Sequence, residues 1–351
     1  MKTFDDRTRI GRIRPMATIA DVARLAGVSS STVSYVLSGK RPISAATRAR
    51  VERAIHELGF SPHAGARALA TNRTNVLGLV VPLRALESNP ATVMEVVAGV
   101  LAAAREHGDD VLVLTDEDAA DVHRLAAGSR VDALVLMDVE RHDPRLPVLA
   151  ALRQPAILVG VPADSQGLSC VDLDFAAAGR LAVRHLTEHG HERIALLGSG
   201  EAAVTRGASY AVRIIEGFRE EAGRLGVRHT VVPLEDSYPA AATALARART
   251  EVDGPTALVV HNEGALPAVL TALAREGLRV PEDVSVLAVA PARRAEHLSV
   301  PLTVIDIPSV EIGRTAVAMA VDRQERSVPA ETRLLAPQLV EHGSCAAPPA
   351  P

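Results

Sequence analysis

Ser29, Ser30, Ser31, Thr32, Ser34 and Tyr35 place six hydroxyl groups within seven consecutive positions, and Ser38 follows one turn later. Such groups donate and accept hydrogen bonds, and the Tyr adds an aromatic face. No acid or His stands among them to turn a serine into a nucleophile. The chemistry on offer is recognition, since small hydroxyls pair with several kinds of base edge.

The stretch that carries them reads as two short helices around a tight turn. Ile19, Val22, Ala23 and Ala26 recur at i, i+3, i+4 and i+7, one face of a helix. Gly27 supplies the left-handed conformation that ends it. Ser29 caps a second helix whose buried side is Val33, Val36 and Leu37, which leaves Ser30, Ser31, Ser34 and Tyr35 outside. After "SGKRPIS", Ser44 caps a third helix, with an apolar stripe of Val51, Ala54, Ile55 and Leu58 and a stop at Gly59. Helices this short are marginal alone, so a shared apolar centre must hold them.

Charge points the same way. The 351-residue chain has a formal net charge of −4. Residues 1–75 carry 13 Lys and Arg against 5 Asp and Glu, which leaves 25 against 37 for the remainder. A basic head on an acidic body is the footprint of nucleic-acid binding. Aromatics make up 2% of the chain, so the core must be Ala, Val and Leu. Two cysteines far apart, Cys170 and Cys345, give no disulfide framework and suit a reducing cytoplasm. The N-terminal "MKTFDDRTRIGRIRP" lacks the apolar core of a signal peptide, and no apolar run reaches the ~18 residues of a membrane span.

With "TIADVARLAGVSSSTVSYVLSG" and "ISAATRARVERAIHELGFSPHAGARALAT", residues 18–70 closely resemble the LacI-type (lac and galactose repressor) transcriptional regulators. The resemblance implies that Thr18, Ser29, Ser30, Ser31, Thr32, Ser34, Tyr35 and Ser38 face operator DNA, with Ser30, Ser31, Thr32 and Tyr35 on the recognition helix. Tyr35 stands where Arg is frequent, and Ser38 where Asn is usual. "SPHAGARALATNRT" resembles the family's hinge helix. There Leu69 matches the residue wedged into the minor groove, flanked by His63 and Arg67, and partial unstacking in exchange for a bent duplex is the physical gain.

Beyond Asn75 the pattern changes. "VLGLVVP", "DVLVLTD", "VDALVLM", "PAILVGV", "RIALLGS", "TALVVHN" and "DVSVLAVA" read as buried strands, alternating with helices such as "MEVVAGVLAAAREHG" and "GRLAVRHLTEHGH". That alternation means parallel, doubly wound sheets with ligands at the carboxyl ends of strands. The expected fold is therefore α/β. To the helix–turn–helix three-helix head the family resemblance adds a hinge helix and, over residues 76–340, a periplasmic-binding-protein-like two-lobed core. The segments of the chain are an extension at 1–17, the head at 18–60, the hinge at 61–75, the core at 76–342 and a disordered tail at 343–351. The lobes would be 76–172 with 303–326, and 173–302 with 327–342.

The resemblance implies an effector between the lobes, first of all a carbohydrate. It picks Asn262 and, where Asp is usual, Glu263. The family's Arg falls on Ile214, one residue after Arg213, and the aspartate that often binds a sugar hydroxyl is Ala290. His185, His189 and His191 invite a zinc reading, but Gly190 ends their helix and the segment matches a routine family junction. "GSGE" at 198–201 lacks the lysine of a phosphate loop. No metal, cofactor or enzymatic activity is expected. The reading is a cytoplasmic homodimeric repressor of palindromic double-stranded DNA, without a membrane partner. A transporter's solute-binding protein, an effector-independent regulator and an enzyme on the same body are the alternatives.

Overall fold

The computed structural model describes residues 17–38, 41–60, 73–84, 90–115, 120, 123–124, 130–326 and 328–349. The chain divides into two compact units at Thr74/Asn75.

In the first unit, α1 spans Ile19–Ala26, α2 Ser30–Ser38 and α3 Ala45–Leu58. The caps are those the residue types dictate. The Thr18 hydroxyl accepts from Asp21 N–H at 3.3 Å, and the Asp21 carboxylate accepts from Thr18 N–H at 3.0 Å, a reciprocal capping box. The Thr18 hydroxyl also donates to the Asp21 carboxylate at 2.7 Å, and this bond, with that from Thr18 N–H, holds the Asp21 carboxyl below its usual range. Gly27 sits at φ 61°, the left-handed stop between α1 and α2. Ser44 opens α3 by accepting from Thr47 N–H at 3.3 Å. Val22, Ala23, Ala26, Val33, Val36, Val51, Ala54 and Phe60 form the shared core. Leu58, assigned to that core from periodicity, is instead exposed, and Phe60 takes the place. The reason is local: Gly59 turns left-handed at φ 58°, and Phe60 N–H bonds back to Ile55 C=O, folding the ring under the helix end.

The second unit contains, in order, β1 (Val76–Val80), α4 (Pro90–His107), β2 (Asp110–Leu114), β3 (Ala133–Leu136), α5 (Leu146–Ala150), β4 (Ala156–Val159) and β5 (Ser169–Leu173). There follow α6 (Phe175–Glu188), β6 (Arg193–Gly198), α7 (Glu201–Thr205), α8 (Ser209–Leu225), β7 (Arg228–Pro233), α9 (Tyr238–Val252), β8 (Ala257–Val260), α10 (Leu266–Arg275) and β9 (Ser285–Ala290). The last elements are α11 (Ala292–Glu296), β10 (Thr303–Asp306), α12 (Ser309–Arg326), β11 (Thr332–Leu335) and β12 (Gln338–Val340).

These strands make two six-stranded sheets, ordered β11-β5-β4-β3-β1-β2 and β12-β10-β9-β8-β6-β7. All pairings are parallel except β10–β12. Each sheet is the centre of one lobe, and the chain passes between them after β5, after β10 and after β11. The expected lobe boundaries need correction. β10 pairs with β9, so 303–306 belong to the second lobe, whereas β11 pairs with β5, so 332–335 belong to the first. A four-residue strand joins whichever edge satisfies its backbone, which its own sequence does not announce.

The disordered tail is also corrected, for residues 343–349. Val286 N–H donates to Ser344 C=O at 3.0 Å, Thr303 N–H to the Ser344 hydroxyl at 2.7 Å, and Ala346 N–H to the Ser285 hydroxyl at 3.0 Å. One short segment thus satisfies the starts of both β9 and β10. No helix among the described residues is long and apolar enough to cross a membrane.

Candidate nucleic-acid interface and effector cleft

On the head, the second helix presents what its capping leaves over. Ser29 and Thr32 are partly spent on local structure: the Ser29 hydroxyl accepts from Thr32 N–H at 3.2 Å and lies 2.9 Å from the Thr32 hydroxyl. Ser30 and Ser31 are exposed, and Ser34 and Tyr35 half-buried. The Arg41 guanidinium lies 5.1 Å from the centre of the Tyr35 ring, a cation–π contact that sequence reasoning passed over. The only signal for it was a cation shortly after the helix. His63, Arg67, Leu69 and the Ser38 side chain lie outside the described residues, as does the extension at 1–16.

On the second unit, the two lobes meet at the carboxyl ends of their strands, where doubly wound sheets bind ligands. Backbone bonds link them directly: Ser209 N–H donates to Val139 C=O at 2.9 Å and Arg141 N–H to Gly207 C=O at 2.7 Å. Side chains add to these. Arg206 of the second lobe reaches Asp138 at 2.7 Å and Glu140 at 3.4 Å, and Arg213 reaches Asp172 at 3.2 Å. Glu263 accepts from Thr92 N–H at 3.2 Å and from the Thr92 hydroxyl.

Between these contacts lies a cavity of about 110 Å³. Val93, Val96, Met137, Val139, Ile307 and Ile312 give it an apolar wall, and Phe175, Tyr210 and His261 an aromatic one. The three rings cluster with centres 5.5–6.1 Å apart. Burial lowers the His261 pKa to about 4, so this imidazole is neutral at pH 7. Burial raises Asp172 to about 7, against the pull of Arg213 and a hydrogen bond from Leu173 N–H. The Ser209 hydroxyl is buried on the cavity wall without a hydrogen-bond partner.

Of the three effector residues picked from sequence, only Glu263 lines this cavity. Arg213 stands behind it, forked between Asp172 and Asp174. Asn262 turns away and donates to Leu234 C=O at 2.7 Å. Asp172, Ser209, Tyr210 and His261 were missed, although His261 directly precedes Asn262 at the end of a recognisable strand. The histidines weighed for zinc are differently employed. His191 lies 2.8 Å from the Thr256 hydroxyl and 2.9 Å from that of Ser285, and His189 lies 2.8 Å from His185 C=O.

A capped helix–turn–helix on one unit and a two-lobed, doubly wound body with an interlobe cavity on the other define transcription regulators with a periplasmic-binding-protein-like body. Residues 18–63 match the model of bacterial regulatory proteins of the lacI family, and residues 183–345 that of the periplasmic binding protein-like domain. The chain belongs to the lacI family. It is 33% identical over 325 residues to the HTH-type transcriptional regulator CelR of Thermobifida fusca, covering 89% of this chain and 92% of that one. It is 31% identical over 344 residues to the ribose operon repressor of Escherichia coli (strain K12), covering 94% and 100%. Among solved structures it resembles the lac repressor dimer bound to operator and the anti-inducer ONPF, with TM-score 0.82, 25% identity and coverage of 95% and 100%. It also resembles the CelR–cellobiose complex, with TM-score 0.68, 29% identity and coverage of 93% and 99%.

Proposed function

We propose that this chain is a cytoplasmic, homodimeric transcriptional repressor, and not an enzyme. It binds a palindromic operator through its head and changes its operator affinity when a small molecule enters the interlobe cavity. The observation that carries this is the capped α1–α2 pair, whose outward face is left with Ser30, Ser31, Ser34 and Tyr35. Arg41 against Tyr35 adds a guanidinium beside the recognition helix. Leu69, with His63 and Arg67, would wedge the minor groove at the operator centre, on the family resemblance. Two half-sites are needed, because each good base contact discriminates by only about 1–3 kcal/mol.

In this mechanism the ligand alters lobe closure, and with it the pairing of the two heads. Driving an almost complete switch takes about 5.5 kcal/mol of differential affinity. A carbohydrate is the class the family implies, and the CelR relative was solved with cellobiose. The test is retention of a palindromic duplex as salt is raised. Between about 50 and about 200 mM, affinity is expected to fall by roughly 10³-fold or more, as phosphate contacts release counterions. Salt-independent retention, or no retention at any salt, would remove the DNA-binding reading.

A further inference from the structure

The interlobe cavity carries one sign of charge. Among the described residues its acidic lining groups are Asp138, Asp172 and Glu263, and no Arg or Lys lines it. The guanidiniums behind the wall do not balance these acids. Arg84 and Arg206 together offset Asp138 and Glu140. Asp172 and Asp174 share the single Arg213. Among the described residues the hydrogen-bond donors to Glu263 are the neutral Thr92 amide and hydroxyl, while Arg293 and Arg294 line the adjoining cavity on its other side. The space is walled by Phe175 and Tyr210, whose ring faces attract cations. His261 brings no competing positive charge. One polar group still waits for a partner: the Ser209 hydroxyl, 2% exposed and unbonded on the same wall.

We propose that the effector of this regulator is an organic cation, a compact molecule whose protonated amine faces Asp172 and Glu263, with Ser209 as its neutral hydrogen-bond partner. This rests on the reading above that a small molecule enters the cavity, and replaces the neutral carbohydrate there with an amine. Burial holds Asp172 only partly ionised at pH 7 even with Arg213 beside it, and an entering ammonium would favour its carboxylate form. A neutral polyhydroxyl ligand would leave the acids as they are, and would meet a wall that is mostly hydrocarbon.

Two pairs of near-isosteric probes test the head group by calorimetry on the full chain: benzylamine against benzyl alcohol, and glucosamine against glucose, with benzoate as the anionic control. In at least one pair the amine is expected to bind tenfold or more tightly than its neutral partner, and benzoate not to bind. Asp172→Asn and, separately, Glu263→Gln should each reduce that preference severalfold. Ser209→Ala should weaken amine and neutral partner alike. A thermal melt of each variant distinguishes loss of the site from loss of the fold. Equal or tighter binding of the neutral member in both pairs, binding of benzoate, or no binding by either amine overturns the proposal. The first two of these outcomes leave an effector cleft in place, and operator retention is scored separately, so the broader reading survives or fails on its own result.

Discussion

Gly217→Ala is expected to destabilise the second lobe by about 3 kcal/mol, at or beyond the upper end of ordinary overpacking. A Cβ at Gly217 would lie 2.0 Å from Ala176 C=O across the α6–α8 contact, and one at Gly179 would lie 2.4 Å from Ile214 C=O. The first lobe uses the same device between α4 and α12. There Gly99 would meet Val310 C=O and Gly313 would meet Val96 C=O, both at 2.2 Å. In every case the obstacle is backbone, which cannot rotate aside, so the helices must part and lose packing along their length. Gly223 on the same α8 has nothing within 4 Å, and Gly223→Ala should stabilise by about 0.5–1 kcal/mol through helix propensity. Denaturant unfolding of the two variants should move in opposite directions. Similar midpoints would mean that the helix contact yields more easily than its geometry implies.

Arg145→Ala carries the second large effect. Arg145 and Asp143 form a fully buried pair, joined through Nε at 2.9 Å and Nη2 at 2.6 Å. The same Nη2 donates to Asp138 C=O at 2.8 Å, fixing the segment that presents Asp138 to the cavity. Removing one partner strands a buried charge, at a cost of about 3–5 kcal/mol. Replacing both, as Arg145→Met with Asp143→Leu, should recover much of that loss, because the desolvation cost of both charges disappears. Unfolding midpoints of the single and double variants check this. A single variant as stable as the parent would show that the pair contributes nothing.

What was legible in the sequence was local. Thr18, Gly27, Ser44 and Gly59 each act on the nearest few backbone groups, so caps and turns could be read one residue at a time. Six of the seven apolar runs are strands buried along most of their length, as continuous Val, Leu and Ala suit. The seventh, β2, lies at a sheet edge with Val113 exposed, against the expectation of a buried strand. The strands not assigned from sequence were the mixed ones. β5 holds Asp172 among buried neighbours, and β7 opens on Arg228 and His229 at a sheet edge. The lobe exchange at β10 and β11 was misplaced because pairing partners lie far away along the chain. The cleft was hardest to read. Whether Asn262 faces a ligand or Leu234 C=O, and whether Arg213 reaches the cavity or stays behind Asp172, depends on side-chain direction. Motif position does not encode that direction.

In the proposed function the surface beginning at Ser30 reads base edges. Selection of bound duplexes from random DNA tests it most directly, with the parent chain and Tyr35→Arg run in parallel. The parent should enrich one two-fold-symmetric sequence and the variant a different half-site. Recovery of no preferred sequence by the parent would contradict the claim outright, and an unchanged half-site from the variant would contradict it at Tyr35.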